Sequence, residues 1–197
     1  KIPSDFTKPY PSLSGIVGSD GFRKKTLDLR WQWNHNPLDG AWSLEERPGW
    51  LRLKARKVVP NIFLARNTLT QRMIGPQCEG EIRMDVSKMK NGDRAGLAAF
   101  QSDSAVLAVV CENGRKRLVM SEEKSVFEEG RRNPRAEVSE KESVPLSSDI
   151  VYLRIRTDFR PGQDWAEMDW SPDRKTWRRI GTRFPLRFDW TRMFVGS

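Results

Sequence analysis

Hydrogen-bonding side chains crowd one short stretch of the chain. In "FLARNTLTQR" (63–72), Arg66, Asn67, Thr68, Thr70, Gln71 and Arg72 place donors at six of seven positions. Read with period two, Phe63, Ala65, Asn67, Leu69 and Gln71 fall on one face, and Leu64, Arg66, Thr68, Thr70 and Arg72 on the other. Both faces mix polar with apolar groups, which suits neither a core nor open water. Amides and guanidinium groups are the partners that sugar hydroxyls seek, while the C–H faces of sugar rings stack on indoles. Indoles are plentiful nearby. "RWQWN" sets Trp31 and Trp33 on one side of an extended segment and Arg30, Gln32 and Asn34 on the other. "AWSLEERPGWLRL" adds Trp42 and Trp50. Trp31, Trp33, Arg66, Asn67, Gln71 and Arg72 are therefore candidates for a glycan-binding face, although paired Trp also commonly fill the space between two sheets.

Other chemistries find less support. His35 is the sole histidine, so any Ser-His or Cys-His nucleophile would have to use it. No Ser or Cys stands in a nucleophile-elbow context, and "WQWNHNP" reads as a packed turn. The 26 acidic residues supply many pairs, but none stands in the apolar, aromatic setting that raises a glycosidase acid. Asp93 in "NGDRAGLAAF" reads as a turn cap or a partner of Arg94, and Asp158 and Asp169 read the same way. No catalytic residue is expected. Cys78 and Cys111 lie too far apart, without His or Cys at ligand spacing, to form a zinc site. They read as two core thiols, with pairing left open. No cofactor is expected. A structural calcium would suit a lectin-like sandwich, yet no clustered Asp and Asn loop demands one.

These residues must be positioned by strands. Short β-like runs recur at 41–43, 50–53, 64–72, 80–86, 95–101, 105–111, 117–121, 151–157, 166–171 and 176–179, separated by "RPG", "KNGD", "ENGR", "FRPGQ" and "SPDRK". Asn113-Gly114 between two such runs predicts a tight hairpin with positive φ at both central positions. Residues 122–148, "EEKSVFEEGRRNPRAEVSEKESVPLSS", predict exposed edge strands or a long solvated hairpin, with "RRNPR" as a basic patch inside it. No segment reads as a helix longer than one or two turns. Many strands with turns every ten or so residues predict an all-β sandwich. Residues 1–20 read as a linker or N-terminal arm and 21–197 as the domain.

With 35 Lys and Arg against 26 Asp and Glu, the net charge is +9. The basic residues are spread along the chain rather than clustered, so nucleic acid is not the expected partner. No apolar run is long enough for a membrane helix, and no membrane partner is expected. The chain opens at Lys1 without an apolar targeting segment, which reads as a processed chain or a piece of a longer protein.

Several stretches together resemble one known domain: "LDLRWQWNHNPLDGAWSLEERPGWLRL" (27–53), "NIFLARNTLTQR" (61–72), "MKNGDRAGLAAFQ" (89–101), "VYLRIRTDF" (151–159) and "DWSPDRKTWRRIG" (169–181). They are similar to the C-terminal concanavalin A-like (jelly-roll) β-sandwich of glycoside hydrolase family 43, the β-xylosidases and α-L-arabinofuranosidases, a module also grouped as carbohydrate-binding module family 91. The resemblance implies a two-sheet sandwich joined in its parent protein to a five-bladed catalytic propeller that carries the catalytic carboxylates. It implies plant cell-wall glycan of xylan or arabinoxylan type as partner. The compartment stays open, with an extracellular or periplasmic setting slightly favoured. It also implies a loop that helps wall the propeller's substrate pocket. "VVPNIF" (58–63) is the nearest match to that loop, with Phe63 as its aromatic. The chain ends at "DWTRMFVGS", where a further strand of such a domain is expected to begin. The competing expectations are a purely structural module that binds no glycan and, from the basic charge, a nucleic-acid binder.

Overall fold

In the computed structural model, residue 15 and residues 17–130 and 134–187 are described. The chain divides into two compact units: the first comprises residues 1–56 and 66–73, the second 57–65 and 74–197.

The second unit is a sandwich of two four-stranded antiparallel sheets. Sheet I runs in the order β6 (Arg94–Ala99), β7 (Asp103–Glu112), β8 (Arg115–Val126) and β9 (Arg135–Leu146). Sheet II runs β12 (Arg178–Pro185), β11 (Trp165–Ser171), β10 (Ile150–Asp158) and β5 (Gln77–Asp85). In β10 the apolar residues alternate: Val151, Leu153 and Ile155 enter the core, while Tyr152, Arg154 and Arg156 stand on the outer face. Leu107, Val109, Leu118 and Met120 meet them from sheet I, with Met168, Trp170, Ile180 and Phe184 completing the core. The expected all-β two-sheet sandwich is the architecture observed.

The predicted hairpin at Asn113-Gly114 joins β7 to β8. Both residues have positive φ, 51° and 73°, and Glu112 pairs with Arg115. The charged stretch 122–148 does form a long hairpin, but only β9 is the exposed edge. Ser121, Glu123 and Ser125 of β8 are buried instead. Of "RRNPR", residues 131–133 lie outside the described residues, and Arg135 is matched by Glu128 and Glu137. That matching leaves Arg135 little net charge to offer a partner.

The strand expected over 64–72 is largely replaced. Ile62–Leu64 form a 3-10 turn, residues 66–67 another turn, and only Leu69–Thr70 (β4) extend, pairing with Gln32–Trp33 (β1) in the first unit. The reason is local. Asn61 accepts a hydrogen bond from the Leu64 amide through Oδ1, so a side chain competes for backbone that a strand would have used. The first unit holds one further pair, β2 (Trp42–Ser43) with β3 (Arg52–Leu53).

One irregularity shapes sheet II. Ala166 pairs with Phe184 and Met168 with Ile180, so Gly181, Thr182 and Arg183 bulge opposite the single residue Glu167. Gly181 has φ +74°, and a Cβ there would stand 2.5 Å from Sδ of Met120, itself fully buried in sheet I. The bulge and the close approach of the two sheets thus need the same glycine. Gly181→Ala is expected to lower the unfolding free energy by about 1–3 kcal/mol. A urea midpoint indistinguishable from wild type would show that Met120 yields at no cost.

Candidate functional site

The structure distributes the predicted site residues between the two units. Trp31, Trp33, Arg66, Asn67, Gln71 and Arg72 belong to the first, Phe63 to the second. In the first unit several of these polar groups are engaged internally. The Gln71 amide grips Gly18 from both sides, Nε2 donating to its carbonyl at 3.0 Å and Oε1 accepting from its N–H at 3.1 Å. Arg66 donates from Nε to the Asn36 carbonyl, and Thr70 from Oγ1 to the Gln32 carbonyl. Asn67 shares the Arg66 turn, and Arg72 is exposed.

The indoles are engaged as well. Trp31 donates from Nε1 to Asp20 at 2.9 Å and lies 5.5 Å from the Phe22 ring, which sits at an unusual φ of 49°. Trp33 packs on Trp42 at 5.4 Å, and Arg47 covers Trp50 at 4.1 Å. Charge pairs stitch the loops between them. The Arg30 guanidinium, followed by its backbone N–H, holds the Asp28 carboxyl down at about 2. Lys54 lowers Glu46 in the same way. Gln71, Thr70, the Arg66 Nε and the Trp31 N–H therefore tie together the unit's own loops and two-residue strands.

Phe63 is placed differently. Its 3-10 turn is fixed to β8 by polar groups withdrawn from water. The Ile62 amide donates to Glu123 Oε2 at 2.8 Å, and Asn61 donates from Nδ2 to Ser125 Oγ at 3.0 Å. Asn61 is 5% and Glu123 3% exposed. Arg94 on β6 pairs with Glu123 at 2.8 Å and donates to Ser121 Oγ, so guanidinium and amide share one buried carboxylate. Above this anchor the Phe63 ring meets Phe127 edge-on, 5.7 Å apart at 89°. Phe127 is 43% exposed and Val58, at the start of the segment, 95%. A stiff base thus carries an apolar, partly exposed tip.

The sequence singles out Phe63 but gives no signal that Asn61, Arg94, Glu123, Ser125 and Phe127 stand around it. Pro60-Asn61 was a legible turn signal. The partners 61 and 64 positions away were not. Asp93 caps its turn by accepting the Lys90 amide, as expected, while Arg94 turns to Glu123 instead. His35 lies half-buried in a bend. Cys78 is half-buried and Cys111 buried, both as free thiols. Among the described residues no three His, Cys, Asp or Glu side chains are grouped to hold a metal ion, and no helix is long and apolar enough to cross a membrane.

Comparison with known proteins decides the family. The family model described as the β-xylosidase C-terminal concanavalin A-like domain matches residues 19–197. The chain belongs to that family. A β-xylosidase of Formosa agariphila is 34% identical over 195 residues, which cover 87% of this chain and 30% of that protein. The structure of a bifunctional GH43-CE protein of Bacteroides eggerthii superposes with a TM-score of 0.83 at 38% identity, covering 94% of this chain and 23% of that one. An engineered GH43 glycoside hydrolase with both endo-xylanase and exo-arabinofuranosidase activity gives 0.77 at 30% identity, over 87% and 34%. The chain is thus the C-terminal sandwich part found in family 43 glycoside hydrolases, and it spans about a third or less of these relatives.

The anchor has a direct test within this concanavalin A-like domain. Asn61→Ala removes both the cap of the 3-10 turn and the bond to Ser125, a loss of about 1 kcal/mol locally. The Ile62 and Leu64 amides are expected to exchange with solvent roughly fivefold faster while those of β7 keep their protection. Unchanged exchange at both amides would mean that the turn does not rely on Asn61.

Proposed function

We propose that this domain completes the substrate pocket of a family 43 catalytic part on the same polypeptide, with the segment 57–65 presenting Phe63, supported by Phe127, to the substrate. The carrying observation is the buried anchor beneath Phe63. Fixing a solvent-side loop with a buried carboxylate and a buried amide is expensive unless the tip must be held in place. Phe127, partly exposed beside Phe63, and the exposed Val58 of the same segment give that segment an apolar surface fit to wall a pocket. Relatives named β-xylosidase, and one with exo-arabinofuranosidase activity, support a xylan-type or arabinoxylan-type glycan as substrate. Unaided glycan binding by the first unit is the weaker reading, because the Trp31 N–H, the Gln71 amide and Arg66 Nε already have partners there.

In the full-length polypeptide, Phe63→Ala is expected to lower kcat/KM on 4-nitrophenyl β-xyloside or α-L-arabinofuranoside about tenfold, equivalent to about 1.4 kcal/mol of transition-state binding. The melting temperature should move little, since the ring is only half-buried. An unchanged kcat/KM together with a lowered melting temperature would sink the pocket reading and leave a purely structural module.

A further inference from the structure

The outer face of sheet II carries a second buried polar centre, on the other sheet from the Glu123 anchor beneath Phe63 and independent of the pocket reading. Glu167 and Asp169 project outward from β11, yet they are only 4% and 3% exposed because arginines cover them. Three guanidinium groups converge on Glu167. Arg183 donates from Nε and Nη2 to Oε1 at 2.9 and 2.7 Å, Arg179 pairs with the same oxygen at 2.9 Å, and Arg156 approaches Oε2 at 3.3 Å. Arg156 also binds Asp169 through Nε at 2.8 Å and Nη2 at 3.2 Å, beside Arg154 Nε at 3.2 Å. Exposed Glu79 stands 3.9 Å from Arg154.

The convergence is built by the bulge. In a regular strand Arg179 and Arg183, four positions apart, would be separated by about 13 Å along β12. The extra residues at Gly181 fold that distance up and aim both side chains at one oxygen. Two aromatic rings set the outer guanidinium planes: Arg183 lies 4.3 Å over Trp165 and Arg154 4.0 Å over Trp177.

A single guanidinium would neutralise Glu167. Four guanidinium groups, Arg154, Arg156, Arg179 and Arg183, stand here against the three carboxylates of Glu79, Glu167 and Asp169. Each of the three around Glu167 brings five N–H groups, of which one to three are used. Arg156, Arg179 and Arg183 remain 39%, 47% and 53% exposed, so the cluster is open to solvent. We propose that this face binds a carboxylate-bearing sugar, a hexuronate. Its carboxylate would be gripped by the remaining N–H groups of Arg156, Arg179 and Arg183, and its ring would lie along the rim formed by Trp165. The geometry suits a planar anion, because a guanidinium fork matches a carboxylate in two parallel bonds.

Sodium D-glucuronate titrated into the chain, followed through the arginine Nε–Hε NMR signals, tests this. Glucose in sodium chloride of matched ionic strength and sodium phosphate serve as the comparison arms. Saturable shifts with glucuronate, at least tenfold weaker with glucose and phosphate, are expected. The Arg179→Gln, Arg183→Gln double variant should lose the response at least tenfold, while Lys116→Gln, on the other sheet, keeps it. Equal responses to glucuronate and to glucose, stronger binding of phosphate, or full binding by a folded double variant would each overturn the assignment. Should the double variant not fold, the wild-type titration alone decides, and no saturable glucuronate shift overturns it.

Discussion

A carboxylate cannot be taken out of water without partners, and Glu123 is almost wholly out of water. Its position in β8 therefore dictates much around it. Arg94 must arrive from β6, and a backbone N–H must come from a segment more than sixty residues away in sequence. Removing one partner of such a group costs about 3 kcal/mol, a large fraction of an ordinary domain's stability. The segment 57–65 consequently belongs to the sandwich even though the chain on either side of it belongs to the other unit. Ser125 and Asn61 repeat the arrangement two residues along, so the segment is held at two points rather than one.

The sandwich itself was legible because its physics is local. Alternation in "VYLRIRTD" marks one strand with one face on a core, and Asn113-Gly114 marks a primed turn from the backbone freedom of those two residues. The family could also be read from combined stretches such as "WQWNHNP" and "GDRAGLAAFQ". What sequence could not convey was which polar groups satisfy one another. Gln71 and the Arg66 Nε have the chemistry of sugar ligands, yet they bond to Gly18 and to the Asn36 carbonyl. Nor does a pattern of alternation announce a bulge. Without it, Arg179 and Arg183 appear as two ordinary surface charges instead of two grips on Glu167.

The net charge of +9 takes on a different meaning in this light. Much of the arginine content acts in fixed, carboxylate-centred arrangements: Arg94 at Glu123, Arg30 at Asp28, Arg156, Arg179 and Arg183 at Glu167. These are planar, multidentate contacts for which lysine would be a poor substitute. They stiffen loops and sheet faces in a domain whose first unit has only two-residue strands.

The most direct test of a rigidly presented Phe63 is a double-mutant cycle on kcat/KM in the full-length polypeptide, combining Glu123→Gln with Phe63→Ala. If the buried carboxylate acts by holding the ring, Glu123→Gln lowers kcat/KM in the presence of Phe63 and adds almost nothing once the ring is gone. Losses that simply add would contradict the account, because Glu123 and Phe63 would then be acting independently.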